Sequence, residues 1–130
     1  LDVEKMQRAA LKFEGTHNFE SFRAAACQSN QPVRNVKHCR LSQHGAYLIL
    51  DIQADGFLHH MVRNIVGCLL EVGQGFYDVD HIDAILAAQD RKAAGITAPA
   101  HGLYFIQAYY PEQFQLPKTA LGPLWLNLPE

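Results

Sequence analysis

The spacing of apolar residues predicts a long helix near the middle of the chain, over residues 57–72. Its apolar side chains recur at i, i+3, i+4, i+7, i+8 and i+11, the period of a helix with one buried stripe: Leu58, Met61, Val62, Ile65, Val66 and Leu69. Four polar side chains interrupt this run: His59, His60, Arg63 and Asn64. A partly buried arginine needs an anion, so Arg63 is the residue to explain.

Strands and further helices are predicted on both sides of this helix. In chain order they are a helix over 2–13, a polar-aromatic turn with a short helix over 16–22, a loop over 24–32, strands over 33–42 and 46–54, a helix over 78–88 and a third strand over 102–110. Asp2 is placed to cap the first helix, and Gly73 to end the long one. This order predicts an α+β domain, with an antiparallel or mixed sheet and helices packed on one face.

The length and composition favour one globular domain. With 130 residues, 48% of them hydrophobic and 18% charged, the chain can bury a sizeable core. No apolar run approaches the roughly 20 residues that cross a bilayer, which predicts no membrane contact. The three cysteines show no CxxC spacing, so we expect reduced thiols and a cytoplasmic location. The chain starts at Leu1 inside a helical pattern, which favours a piece of a longer protein.

The charge distribution leaves two interpretations open. The net charge is −2, but basic residues are concentrated in the first half of the chain and acidic residues in the second. A modestly basic half can line a phosphate track of a nucleic acid. Ordinary surface variation explains the same asymmetry equally well.

Few chemical motifs are present. Adjacent residues on a helix diverge by about 100°, so His59 and His60 cannot easily share one metal ion, and the sequence predicts no metal site. No phosphate loop or nucleophile motif occurs. The residues alone favour an ion pair for Arg63, with a partner among three carboxylates of the same chain: Asp51, Asp55 and Glu71. On a helix, Gly67 would leave space for backbone or ligand one turn beyond Arg63.

Four blocks stand out in this order along the chain: Gly15-Thr16-His17-Asn18-Phe19-Glu20-Ser21-Phe22, Pro32-Val33-Arg34, the eleven residues from Phe57 to Gly67, and Ala98-Pro99 with Gly102-Leu103-Tyr104. Together they resemble the C-terminal half of the tRNA pseudouridine synthase A (TruA) family. The resemblance covers about residues 1–111 and implies a ferredoxin-like half of a pseudouridine-synthase fold. Residues 112–130, rich in proline, are predicted to form an extended tail.

The resemblance implies an isomerase that converts uridine to pseudouridine in the anticodon stem-loop of tRNA, at nucleotides 38 to 40. It implies a homodimer that uses no cofactor and no metal. In this family a catalytic aspartate acts at the target sugar, and the uracil detaches, turns and is rejoined through its C5 to C1′. The target base is flipped out to reach the pocket.

The resemblance also implies roles for single residues. Arg63 matches the arginine that pairs with the catalytic aspartate, so its anion would be a carboxylate. Leu103 matches the apolar residue that packs near the base. The pocket or RNA path would be shaped by Phe57, His59 and His60. RNA contacts by stacking and phosphate binding are implied for four more residues, with a packed turn as the alternative: His17, Phe19, Phe22 and Arg23.

Two departures from the family pattern limit the expected activity. Asn18 stands where the family usually has aspartate. The Arg-Thr-Asp-type motif that holds the catalytic aspartate is absent from this chain, and so is the pocket tyrosine that accompanies it. We therefore expect a C-terminal domain that holds half of an active site and is inactive alone. A non-catalytic module for RNA binding or dimerisation is the alternative.

Overall fold

The structure, a computed structural model, describes residues 1–24 and 31–103. The chain divides into two units, residues 1–99 and 100–130, so residues 100–103 are the described part of the second. Gly102 ends a 3₁₀ turn, Ala100–Gly102, and does not begin a strand as predicted. The rest of the predicted third strand, the tail and Cys27 lie outside the described residues.

Three antiparallel strands form the sheet in the order β1-β2-β3, which confirms the predicted antiparallel arrangement. They are β1 (Gly15–Asn18), β2 (Val33–His44) and β3 (Tyr47–Ala54). The prediction of a turn was wrong for β1, because its four residues show no alternation and pair with residues far along the chain. Thr16 lies opposite Asn35, whose amide donates to the Thr16 hydroxyl at 2.8 Å.

A β-bulge aligns the apolar face of β2 with the core. The register shifts between Val36 and His38, so Lys37 is one extra residue on β2. Residues three apart on a regular strand face opposite sides, but the bulge lets both Val36 and Cys39 point into the core. The strand therefore buries one residue on each side of the bulge, Val36 and Cys39.

Three α-helices pack around one core: α1 (Val3–Leu11), α2 (Met61–Gly73) and α3 (His81–Ala88). The carboxylate of Asp2 accepts from the Lys5 amide at 3.0 Å, which confirms the predicted cap. Helix α1 packs against β2 and α2, and α3 packs against β1. Buried side chains from all three helices and from β2 join in a single cluster, which gives the predicted α+β class.

The long helix begins four residues later than its pattern predicts. His60 has φ +62° and stands in the left-handed region, so the helix starts at Met61. Leu58 is nonetheless buried, because a turn in which the Met61 amide donates to the Leu58 carbonyl carries its side chain to the core. The apolar spacing therefore continued through a turn and concealed the true start of the helix.

Candidate active-site half

Helix α2 presents two different faces. One face is apolar and fully buried in the core: Met61, Ile65, Cys68, Leu69 and Val72. The other carries a stripe of polar residues and one glycine at helical spacing, which we call the polar stripe: Arg63, Asn64, Gly67 and Glu71. These residues lie against residues 91–98, which we call the strap.

Residues 95–98 of the strap run along the polar stripe in the opposite direction to α2. Near the start of α2, the Arg63 guanidinium donates to the Ala98 carbonyl. The side-chain oxygen of Asn64 accepts from Arg91 and Thr97. Near the C-terminal end of α2, the Glu71 carboxylate accepts from the Ile96 amide at 3.0 Å. These contacts join residues that are 25 to 35 positions apart along the sequence, so no local pattern predicts them.

Gly67 allows the close approach of helix and strap. A Cβ atom built on Gly67 would stand 2.1 Å from the Ile96 carbonyl oxygen. A side chain at this position would therefore push the strap away from α2. The space that the sequence predicted beside Gly67 is occupied by the backbone of Ile96.

Arg63 is half-buried, and its nearest polar partner is a backbone carbonyl. Its Nε donates to the Ala98 oxygen at 2.8 Å, while the Ala98 amide donates back to the Arg63 carbonyl at 3.1 Å. The ion pairs that residue types alone favoured, with Asp51, Asp55 or Glu71, do not form. Among residues 1–24 and 31–103, no carboxylate lies within 4.0 Å of the guanidinium, and its Nη atoms have no hydrogen-bond partner.

The two histidines that precede α2 lie together beside this arginine. The imidazole centroids of His59 and His60 are 4.0 Å apart. Partial burial lowers the pKa of His60, and the nearby positive charges of His59, Arg63 and Arg91 lower it further. His59 precedes the helix, which starts at Met61, so it does not share a helical face with Arg63 and Gly67. Two guanidinium groups, those of Arg63 and Arg91, nevertheless lie near the start of α2.

The other pocket residues inferred from the resemblance occupy different settings. Phe57 is 40% exposed, in the segment between β3 and α2. Leu103 follows the 3₁₀ turn in the second unit and is 49% exposed. Both side chains are thus available for contact with a ligand or partner, as a base-packing role requires.

The residues singled out between 17 and 23 divide into buried rings and surface groups. Phe19 and Phe22 are completely buried, and the Phe22 ring meets Phe13 edge-on at 5.1 Å. Their rings cannot stack on RNA in this conformation, and the packed-turn alternative describes them. His17 is half-buried, with Nε2 2.8 Å from the Glu14 carbonyl. Arg23 pairs with Glu20, its Nε 2.7 Å from the carboxylate.

Sequence reasoning missed how three residues hold the strap: Asn64, Glu71 and Arg91. Asn64 is almost completely buried, and its amide donates to the Phe22 carbonyl at 2.7 Å. Glu71 is 9% exposed, although glutamate is rarely buried without a partner. A glutamate within a helix of apolar spacing could have drawn attention to Glu71. The amide that it binds, 25 residues further along the chain, could not have been predicted.

No candidate metal site is found in the described part of the chain. There, no three His, Cys, Asp or Glu side chains come together to hold a metal ion. Within the same ranges, no helix has the length and apolar character needed to span a membrane.

Comparison with known proteins identifies the class. A family model described as tRNA pseudouridine synthase matches residues 9–111, which is most of the chain. The chain therefore belongs to the tRNA pseudouridine synthase family.

Individual relatives are similar across the whole chain. It is 80% identical over 130 residues to the tRNA pseudouridine synthase A of Acinetobacter baumannii (strain ACICU). It is 75% identical over 130 residues to that of Acinetobacter baylyi, and 53% identical over 126 residues to that of Yersinia pseudotuberculosis. In these three cases the matched region is 49%, 48% and 48% of the relative. The chain spans about half the length of the curated relatives it matches.

Proposed function

We propose that this chain is the C-terminal part of a tRNA pseudouridine synthase and that it supplies half of the active site. Residues 1–111 form the contributing domain, and residues 112–130 form a C-terminal arm. The catalytic aspartate comes from the other half of the enzyme. The family match and the setting of Arg63 support this assignment.

The observation that carries the proposal is a half-buried guanidinium without a carboxylate partner among the described residues. Arginine stays protonated throughout the physiological pH range, so its charge cannot be relieved by loss of a proton. A partly desolvated charge is costly unless it is paired. The electropositive start of α2 therefore suits an anion supplied from outside this region.

That anion is the catalytic aspartate of an Arg-Thr-Asp-type motif. The guanidinium of Arg63 would lower the pKa of this aspartate and hold it ionised, because an opposite charge favours the ionised form. The fork of guanidinium donors would also fix the orientation of the carboxylate. The Ala98 carbonyl engages Nε and leaves the two Nη groups to face the aspartate.

The reaction is the isomerisation of uridine to pseudouridine in the anticodon stem-loop of tRNA, at nucleotides 38 to 40. The bond between N1 of uracil and C1′ breaks, the base turns, and C5 bonds to C1′ while its hydrogen is lost as a proton and N1 gains one. No oxidant, metal or cofactor is needed for this balance. The target base is flipped out of the stem-loop.

The remaining residues contact the base or the RNA. Leu103 packs against the flipped base, and Phe57, with the two histidines before α2, lines the pocket or the path of the RNA. His17 and Arg23 lie at the surface and contribute contacts to the phosphate backbone. The enzyme acts as a homodimer in the cytoplasm.

The test is substitution of Arg63 in the full-length enzyme. Loss of the C5 hydrogen releases tritium from tRNA labelled at C5 of uridine, so turnover is measured directly. Arg63→Ala is expected to lower kcat about 10²–10³-fold, as for the loss of one preorganised charge-stabilising group. Arg63→Lys should be intermediate, because it keeps the charge and loses the planar fork.

Arg40→Ala is the matched control. Arg40 is an exposed arginine on β2, so its removal changes the net charge equally without touching α2. Normal turnover of Arg63→Ala would overturn the proposal and favour a non-catalytic module for RNA binding or assembly.

A further inference from the structure

We infer that Glu71 is a positioning residue: it fixes the strap along α2 and thereby orients the guanidinium of Arg63, two helical turns away. The inference rests on the proposed function, because it needs Arg63 to act in the reaction. It assigns a role to a buried carboxylate that the chemistry itself does not use.

The first link joins Arg63 to the end of the strap. Arg63 and Ala98 exchange two hydrogen bonds, one through the Arg63 side chain and one through its backbone. In the side-chain bond the donor is Nε, which lies in the guanidinium plane, so the position of the acceptor fixes the orientation of that plane. A displacement of the Ala98 carbonyl would therefore rotate or release the guanidinium.

The second link joins Glu71 to the strap. Its Oε1 accepts from the Ile96 amide at 3.0 Å, two residues before Ala98. Gly95 has φ +77°, and a Cβ atom there would stand 2.3 Å from the same oxygen. The strap thus fits closely around this carboxylate.

The carboxylate is itself held in place. A hydrogen bond from the Tyr77 hydroxyl to Glu71 raises the pKa of Tyr77. No Lys, Arg or His of residues 1–24 and 31–103 lies within ion-pair distance of Glu71. The hydrogen bond that the geometry gives this carboxylate comes from the Ile96 amide, with the Tyr77 phenol beside it, and this setting suits a fixed anchor for the strap.

A second tether acts on the same strap. The Arg91 guanidinium donates to the side-chain oxygen of Asn64 at 3.1 Å and to the backbone carbonyl of Gly95 at 2.8 Å. The Thr97 hydroxyl also donates to the Asn64 side-chain oxygen. This tether should keep the strap near α2 when Glu71 is removed. Loss of Glu71 should accordingly loosen the geometry at Arg63 without unfolding the domain.

The experiment compares Glu71→Ala and Glu71→Gln in the full-length enzyme, with single-turnover rates at saturating enzyme and tRNA affinities measured separately. Small displacements of a catalytic group cost large factors in rate. We expect Glu71→Ala to lower the rate about tenfold to a hundredfold while the Kd for tRNA stays within about twofold. Glu71→Gln keeps an acceptor oxygen and should recover most of the rate.

Glu14→Ala is a matched control for loss of the same kind of bond. The Glu14 carboxylate also accepts from one distant backbone amide, that of Cys39, at 2.9 Å, but it lies between α1 and β2. Its removal should leave the rate unchanged. If Glu14→Ala lowered the rate as much as Glu71→Ala, the loss in Glu71→Ala would be explained by reduced stability of the domain. That result would overturn the inference.

A double variant separates positioning from an independent role. If Glu71 acts through Arg63, then Glu71→Ala should cause no further loss in an Arg63→Ala background. The same fold-loss in both backgrounds would overturn the inference. If Glu71→Ala does not fold, Glu71→Asp moves the acceptor by one methylene. It should lower the rate in the folded enzyme, and a wild-type rate would overturn the inference.

The two failures are distinguishable. Normal turnover of Arg63→Ala overturns the proposed function, and the inference with it. Loss of turnover in Arg63→Ala together with a wild-type rate in Glu71→Ala overturns the inference alone.

Discussion

Residues 15–24 and helix α2 both mix apolar and polar side chains, but the structure uses the mixture in opposite ways. In residues 15–24 the rings of Phe19 and Phe22 fill the core, while the polar groups satisfy the local turn. In α2 the apolar face fills the core, while the polar stripe holds the backbone of the strap. The first mixture mainly closes its own turn, although the buried Ser21 hydroxyl also bonds the Ile85 carbonyl and the Asp90 amide. The second holds the strap beside Arg63.

The two regions also differ in how they treat their arginines. Arg23 is neutralised by Glu20 three residues away, which is a local ion pair. Arg63 has a carbonyl partner and, among the described residues, no carboxylate. The comparison teaches that an arginine without a nearby counter-charge is the better candidate for chemistry.

The largest stability effect is expected in the first region. Phe22 is completely buried against Phe13, so Phe22→Ala leaves a large cavity in the core. We expect the free energy of unfolding to fall by about 3–5 kcal/mol. Urea denaturation of the chain measures it.

Phe57→Ala is the control for that variant, since Phe57 is 40% exposed. Its loss should cost well under half as much. Equal losses for the two phenylalanines would contradict the division into core ring and surface ring.

An intermediate effect is expected at the residue that joins the two regions. Asn64→Ala leaves the Phe22 carbonyl without its donor and removes the acceptor shared by Arg91 and Thr97. Buried polar groups left unpaired cost about 1–3 kcal/mol each, so a loss of about that size is expected on urea denaturation.

Asn35→Ala is the matched control for Asn64→Ala. Asn35 also bonds a hydroxyl, that of Thr16, but on the exposed side of the sheet. It should change the free energy of unfolding by less than about 0.5 kcal/mol. A larger loss for Asn35→Ala than for Asn64→Ala would break the assignment of Asn64 as the joining residue.

A glycine pair tests the contact between α2 and the strap. Glycine to alanine inside a helix usually stabilises by roughly 0.5–1 kcal/mol. Gly67→Ala should instead destabilise by about 1–3 kcal/mol, since its Cβ meets the Ile96 backbone, which cannot move aside cheaply.

Gly73→Ala is the comparison on the same helix. Its Cβ meets the flexible end of Met6, 2.5 Å from the sulfur, so a small rotation relieves the contact. Its cost should be smaller than that of Gly67→Ala by thermal or urea denaturation. The reverse order would place the strap away from α2.

The comparison also explains what the sequence could predict. The Asp2 cap and the hairpin of β2 and β3 depend on residues close together in the chain, and both were predicted correctly. Four residues of the predicted apolar stripe are buried (Leu58, Met61, Ile65 and Leu69), whereas Val62 and Val66 are only partly buried. The strand β1 escaped because its pairing with β2 is the only feature that makes it a strand. The start of α2 was predicted too early, because Leu58 fits the apolar spacing of the helix although it is buried from the preceding turn.

The features of the candidate site also divide into those that the sequence could predict and those that it could not. Spacing identified Arg63 as unusual and Gly67 as a place of close approach. The strap could not be predicted, because the bonds from Asn64 and Glu71 reach residues 25 to 33 positions away. The anion for Arg63 was proposed from resemblance, since local pattern favoured an ion pair within the chain.

The smallest effect is expected for the thiols, one on strand β2 and one on helix α2. Burial raises the pKa of Cys39 on β2 and of Cys68 on α2 to about 12. Because the thiolate is the reactive form, the thiolate fraction at pH 8 should be about a thousandfold lower than for an ordinary thiol. In a Cys27→Ser background, alkylation of the folded chain should be very slow. Rapid alkylation of either thiol would contradict its burial.

The central claim is that this chain holds half of an active site, with Arg63 awaiting a carboxylate from the other half. Incubation of the chain alone with unmodified tRNA, followed by quantification of pseudouridine by mass spectrometry of the digested nucleosides, tests it most directly. The account predicts no pseudouridine above the level of a tRNA-only control, while the full-length enzyme converts the same tRNA. Pseudouridine formed in the anticodon stem-loop by the chain alone, and lost on substitution of Arg63, would contradict it.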